Sequence, residues 1–214
     1  RPVLYPLQRQ VVTDVLLTTL PDSDEPMYTT MLLSWPRKMA KTVLASLMWT
    51  WRCVCLPNEE IIIAGPTKKA AQSLAFLTAH EVFARNTKLA QAVGAKTVAN
   101  EIKIAATGSV IRAVSSTLGG EAGSNATVVH VDELWSFIDD RMVQFFNTIT
   151  TPSPTRIAPL LCVTSYGPIK NKSLLLIDML KRAKKQEPRF YASVIRGAKE
   201  AVGTCPWITK EKLR

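Results

Sequence analysis

The chain has 214 residues, 47% hydrophobic and 21% charged, which fits one globular domain with a sizeable core and excludes an intrinsically disordered chain. Lys and Arg number 27 against 17 Asp and Glu, a net charge of +10 with an isoelectric point near 9.6. Such an excess suits a polyanionic partner, nucleic acid above all, although simple solubility is the alternative. No apolar run approaches the roughly 18 residues of a membrane-spanning helix, and the start, Arg1 to Pro6, does not read as a secretory signal. The missing initiator Met marks the chain as an expected piece of a longer protein. Cys53, Cys55, Cys162 and Cys205 fall in apolar segments with no CxxC pair, and His80 and His130 are the only histidines. That inventory argues against zinc and for reduced core thiols in a cytosolic setting.

In chain order, residues 11–20 form an apolar helical run, and residues 21–26 an exposed acidic loop. Residues 27–33 read as a strand that feeds Ser34-Trp35-Pro36-Arg37-Lys38-Met39-Ala40-Lys41-Thr42. Residues 40–55 then form a helix apolar nearly all round, hence buried, with Trp49 and Trp51 packed inside. A strand, a short cationic loop and Lys-Thr at a helix start is how phosphate-binding loops are built, because backbone N–H groups and the positive helix end face the phosphates. Lys41 would reach the β- and γ-phosphates and the Thr42 hydroxyl would ligate Mg²⁺. The spacing fits G-x-x-x-x-G-K-[ST], but Trp35 and Ala40 stand at the two glycine positions and Pro36 has no N–H to offer. A left-handed Ala40 would cost about 1–2 kcal/mol. The plain alternative is a basic helix N-terminus with a solvated Arg-Lys pair.

Residues 61–64, all apolar and mostly β-branched, predict a buried parallel strand, and residues 68–84 one helix. Residues 100–105 and 109–114 predict a hairpin, followed by a glycine-rich loop over 115–125. The stretch Thr127-Val128-Val129-His130-Val131-Asp132-Glu133 is a buried strand ending in adjacent carboxylates. In open α/β sheets ligands bind at that edge. Asp132 there would hold Mg²⁺ through its waters and Glu133 would orient or deprotonate the attacking water. A solvated acidic turn is the alternative, and the loop at 34–42 tips the balance. His130 reads as a satisfied core histidine. Residues 140–149 predict a helix that ends at 151–154, and residues 160–163 another buried strand, stopping at Thr164-Ser165-Tyr166-Gly167. Its small hydroxyls would sense the γ-phosphate; an ordinary turn is the alternative. Residues 173–185 are amphipathic, residues 189–195 form a last strand, and residues 205–209 begin a helix. Lys170, Lys172, Lys181, Arg182, Lys184 and Lys185 cluster as a DNA-facing surface or a solvated helix face.

Three stretches together resemble the large terminase subunits that package DNA in tailed bacteriophages and herpesviruses. Residues 36–42, 128–133 and 161–167 are similar to that family's Walker A, Walker B and coupling motifs. Its Walker A loop is commonly deviant, with an arginine four residues before the lysine, here Arg37. The segment Tyr5-Pro6-Leu7-Gln8 is similar to the family's adenine-recognition segment, which implies that Gln8 contacts adenine. Gly123-Ser124-Asn125 and Pro206-Trp207-Ile208-Thr209 also have the family's look.

The resemblance implies an α/β P-loop ATPase, with a mostly parallel sheet between helices and an antiparallel hairpin. Residues 1–205 would be the ATPase domain, and 206–214 the start of a linker or helix towards a metal-dependent nuclease that this stretch lacks. The cofactors implied are ATP and Mg²⁺, held by Pro36, Arg37, Lys38, Met39, Ala40, Lys41 and Thr42, with Thr42 and Asp132 at the metal. Glu133, Arg37 and Lys41 would be catalytic, and Thr164 and Ser165 would couple phosphate loss to movement. The implied partners are double-stranded DNA, a portal protein, the small terminase subunit and further copies in a ring, in the cytoplasm of an infected host. The family's arginine before the Walker B strand is replaced by Gly119-Gly120-Glu121-Ala122-Gly123, leaving Arg112 and Arg141 as candidates for a trans-acting group. A helicase-like translocase, a nucleotide kinase and a DNA-binding module with a decayed nucleotide site are the rival readings.

Overall fold

A computed structural model describes residues 4–72, 74–115, 125–151, 155–156 and 159–209. In chain order the elements are α1 (Pro6–Leu17), β1 (Thr30–Ser34), α2 (Lys41–Cys55), β2 (Glu60–Gly65), α3 (Lys68–Ala71), α4 (Leu74–Arg85) and α5 (Thr87–Val93). They continue with β3 (Ala95–Val98), β4 (Glu101–Ile104), β5 (Ser109–Ser115), β6 (Val128–Asp132), a 3-10 turn (Leu134–Ser136), α6 (Asp140–Ile149), β7 (Leu160–Ser165), α7 (Leu174–Lys184), β8 (Phe190–Val194) and α8 (Ala198–Ala201).

The strands form one sheet in the order β3-β4-β5-β2-β6-β7-β1-β8. From β5 to β8 every pairing is parallel, and the β3–β4–β5 end is antiparallel. Side chains alternate across the sheet, as the two-residue period of a strand requires. Met31, Leu33, Ile61, Ile63 and Cys162 pack towards α1, α2 and α4, whereas Leu32, Ile62, Val131 and Val163 pack towards α6 and α7. Both faces are therefore covered, and the central strands are continuous apolar runs for that reason. This is the three-layer α/β fold with an antiparallel hairpin that the sequence implies.

Register decides what meets at the carboxyl edge. Asp132 pairs with Thr164 and Ser34 with Ser165, so the ends of β6, β7 and β1 lie side by side. The loop after β1 and the acids after β6 flank β7, although they are far apart in sequence.

Several elements differ from expectation. α1 starts at Pro6, not at residue 11, because proline is pre-set for a first helical turn and the Gln8 side-chain oxygen accepts from the Tyr5 N–H at 3.2 Å. Residues 68–84 divide into α3 and α4. α3 lies so close to Gly65 that an added Cβ would meet Ala71 N at 2.5 Å, so only glycine fits at that strand end. α5 and β3 carry no hydrophobic period in the sequence, although Asn86 caps the first (its Oδ1 accepts from Leu89 N–H) and the left-handed Gly94 ends it. Trp49 is fully buried, but Trp51 is 45% exposed, because positions two apart on a helix do not share one face. Residues 205–209 form turns instead of a helix, and the short α8 precedes them. The glycine-rich stretch 119–123 and Ser124 lie outside the described residues.

Candidate active site

Trp35 replaces a glycine by anchoring the loop. It is fully buried, its backbone N–H donates to Ser165 O at 3.0 Å, and its indole N–H donates to Ser193 Oγ at 2.9 Å. The loop is thus fixed to β7 and β8 before it turns. Lys38 and Ala40 adopt left-handed conformations, with φ of 67° and 59°, and Met39 between them is fully buried. The strain foreseen at Ala40 is therefore present, at a cost of about 1–2 kcal/mol, and it is held by Met39 below and by Trp207, whose indole N–H donates to Lys38 O at 2.6 Å. Ala40 offers no side-chain cap to α2, which leaves the first-turn N–H groups without a side-chain acceptor from it.

From this start α2 directs Lys41 and Thr42 onto the end of β6. Lys41 Nζ lies 3.2 Å from Glu133 Oε1, and the Thr42 hydroxyl donates to Asp132 Oδ1 at 3.0 Å. Asp132 also accepts from the Thr164 hydroxyl at 2.6 Å. Glu133 is left-handed, with φ of 56°, and its N–H donates to Thr164 O at 2.8 Å. Burial pushes its carboxyl pKa up, and the Lys41 ammonium opposes that shift. Its Oε2 is buried with no partner among the described residues. A buried, unpaired carboxylate oxygen beside a cationic loop is suited to accept from a water. Ser165 Oγ accepts from Trp135 N–H at 3.1 Å, tying the end of β7 to the turn after β6.

A cleft of about 660 Å³ opens here, lined by Arg37, Lys38, Lys41, Glu133, Tyr166 and Trp207 among others. Arg37 donates to the Tyr166 hydroxyl at 2.7 Å, and Lys41 Nζ lies 5.2 Å from the centre of the same ring. Tyr166 and Trp207 are site residues that the sequence does not single out by itself. Tyr166 was legible only as the residue after Ser165, and Trp207 arrives from the far end of the chain. Pro36 lines a neighbouring groove with Arg37 and Tyr166. Gln8 does not line the cleft, but Tyr5 meets Trp207 edge-on at 5.2 Å, so the N-terminal segment reaches the site through that ring.

The Thr42 hydroxyl and Asp132 carboxylate are hard oxygen donors suited to a divalent cation such as Mg²⁺. No group of three or more His, Cys, Asp or Glu among the described residues could hold a metal alone. Such a pair fits an ion that completes its shell with water and phosphate oxygens. Arg112 is engaged on the hairpin side, 2.8 Å from Glu60 and 2.7 Å from Glu101, while Arg141 lies exposed on α6. In the basic cluster Arg182 forms a two-pronged pair with Glu187, and the five lysines are exposed. No helix among the described residues is long and apolar enough to cross a membrane.

The family model described as "Terminase large subunit, ATPase domain" matches residues 8–169. The chain belongs to that family. Among solved structures, the large terminase of bacteriophage HK97 superposes with a TM-score of 0.78 at 21% identity, over 99% of this chain and 46% of that one. The large terminase of a thermophilic bacteriophage, in complex with ADP, gives 0.63 at 15% identity, over 90% and 45%. The complex of that same terminase with ATP-gamma-S gives 0.61 at 16% identity, over 98% and 48%. At such identities the likeness shows the fold. The chain spans about half the length of these terminases. No curated protein matches. For this terminase ATPase domain, the family match covers the deviant loop, the strand ending in Asp132 and Glu133, and the turn after β7.

Proposed function

We propose that this terminase domain binds ATP with Mg²⁺ at residues 36–42 and hydrolyses it to drive double-stranded DNA into a viral capsid. The observation that carries the reading is the meeting of Lys41 with Glu133 and of Thr42 with Asp132, at 3.2 and 3.0 Å, on a loop and a strand end set side by side by β7.

In this reading Lys41, Arg37 and the loop amides, including those of Lys38, Met39 and Ala40, bind the phosphates. Thr42 and Asp132 hold the metal, which when bound neutralises charge on the phosphate oxygens. Glu133 exchanges its Lys41 contact for a water once phosphates engage the ammonium, and its unpaired Oε2 takes the proton or orients the water. Thr164 on β7 bonds the Asp132 carboxylate and Ser165 the Trp135 N–H in the turn that follows, and the two transmit loss of the γ-phosphate. Gln8 contributes to the adenine side, next to the Tyr5–Trp207 pair. Residues 1–205 act as the motor unit, with 206–214 leading towards a nuclease domain. The partners are double-stranded DNA, a portal protein, the small terminase subunit and further copies in a ring, within the host cytoplasm.

The test is magnesium-dependent ATP hydrolysis over a protein-concentration series. Lys41→Ala and Glu133→Ala should each lower turnover about 100-fold or more, and Glu133→Ala should leave ATP binding in place. Absence of ATP binding in the wild type would leave a DNA-binding module with a decayed nucleotide site.

A further inference from the structure

We infer that His130 is a positioning residue for the metal-side carboxylate, acting through the Thr164 hydroxyl. The inference rests on the reading of Asp132 as that carboxylate. His130 Nε2 lies 2.8 Å from Thr164 Oγ1, which in turn lies 2.6 Å from Asp132 Oδ1. All three side chains are buried, on the adjacent strands β6 and β7.

With the Asp132 carboxylate acting only as an acceptor, the protons on this chain can be arranged in one way. A hydroxyl carries a single proton, and an ionised carboxylate oxygen only accepts. If Nε2 were bare, Thr164 would face two acceptors with one proton and would leave one of them unmet. If Nε2 carries the proton, it donates to Thr164 Oγ1, and the hydroxyl proton is free to point at Asp132. The other ring nitrogen agrees. Nδ1 is buried with no partner among the described residues, so a proton there would be an unmet donor, whereas a bare nitrogen loses less. His130 therefore fixes Thr164 as a donor, and Thr164 fixes the plane of the Asp132 carboxylate. Asp132 Oδ1 has a second donor in Thr42, whose oxygen lone pairs are assigned to the metal while its O–H still points at Asp132. Thr164 is the support that is not itself a metal ligand, with His130 behind it. Outer partners of this kind orient metal-binding carboxylates.

Packing alone does not account for the residue. Its neighbours include Trp49, edge-on at 6.5 Å, and, directly across in the sheet, Ile63 of β2 and Cys162 of β7. Leucine would suit such surroundings without leaving Nδ1 unpaired.

Two measurements decide the matter. In the nucleotide-free protein, long-range ¹H–¹⁵N correlation of the imidazoles should show the Nε2-protonated tautomer for His130, assigned by its disappearance in His130→Gln. The Nδ1-protonated tautomer would overturn the inference whether or not the protein hydrolyses ATP. In magnesium titrations of turnover, His130→Leu should raise the half-saturating Mg²⁺ concentration about 10–100-fold. His130→Gln, whose amide N–H can replace Nε2–H, should stay close to the wild type. Unchanged magnesium dependence in His130→Leu would reduce His130 to a packing residue. Failure of the wild type to hydrolyse ATP would instead count against the proposed function.

Discussion

At Ala40 the loop proposed to bind phosphate departs furthest from one built with glycine. Its φ of 59° and ψ of 24° are conformations that a Cβ opposes, yet the loop holds them through Trp35, Met39 and Trp207. Replacing Ala40 by glycine removes the strain, worth about 1–2 kcal/mol, and adds the chain entropy of glycine, about 0.5–1 kcal/mol. Ala40→Gly should therefore raise the unfolding free energy by about 0–1.5 kcal/mol in urea titrations, with ATP affinity retained. Ala40→Val should be destabilising, since a β-branched residue at positive φ is a genuine outlier. A stability loss in Ala40→Gly would mean that the alanine methyl contributes packing that outweighs its strain. The sequence showed that a cost stood at this position. It did not show what offset it, because the three anchors come from residues 35, 39 and 207.

Among the elements, the β3–β4–β5 hairpin end holds one of the two candidate arginines. Arg112 on β5 lies between Glu60 and Glu101, and it holds the Glu101 carboxyl below its usual pKa range. The guanidinium is partly exposed, so breaking the cluster in Arg112→Met should cost no more than about 1 kcal/mol. Turnover at every protein concentration should stay unchanged. If the concentration-dependent part of turnover vanished, Arg112 would be acting in trans after all. The hairpin was legible from two alternating runs around Gly108, whose φ of 68° suits the turn. α5 and β3 were not, because their side chains are mostly exposed or half-buried and carry no hydrophobic period; only Asn86 and Gly94 marked the helix ends.

Over the whole molecule, burial sorts the thiols. All four cysteines are free, Cys55 is exposed, and Cys53, Cys162 and Cys205 are buried. Burial pushes the Cys53 thiol up to about 12, and Cys162 well above its usual value. Since the thiolate is the nucleophile, a maleimide at neutral pH should label Cys55 rapidly and the other three only after unfolding, as read by mass spectrometry. The sign of the pH effect follows. A group whose pKa is higher folded than unfolded contributes stability that is complete below the unfolded value, about 8.5 for a thiol, and is lost as pH rises towards the folded one. The urea midpoint should thus fall between about pH 8 and pH 10, and Cys53→Val should flatten that fall. What the sequence determined by itself was whatever is local. Runs of β-branched residues gave central strands, and the Lys-Thr and Asp-Glu pairs stood at a helix start and a strand end, since backbone periodicity and motif spacing are read over a few residues. Tertiary structure alone decided what meets in space. The order β6-β7-β1 brought Asp132 to Thr42 and Glu133 to Lys41, His130 behind Thr164, and Trp207 over the loop. Those contacts depend on strand order and register, which parallel strands joined by long crossovers do not encode in any one stretch of sequence.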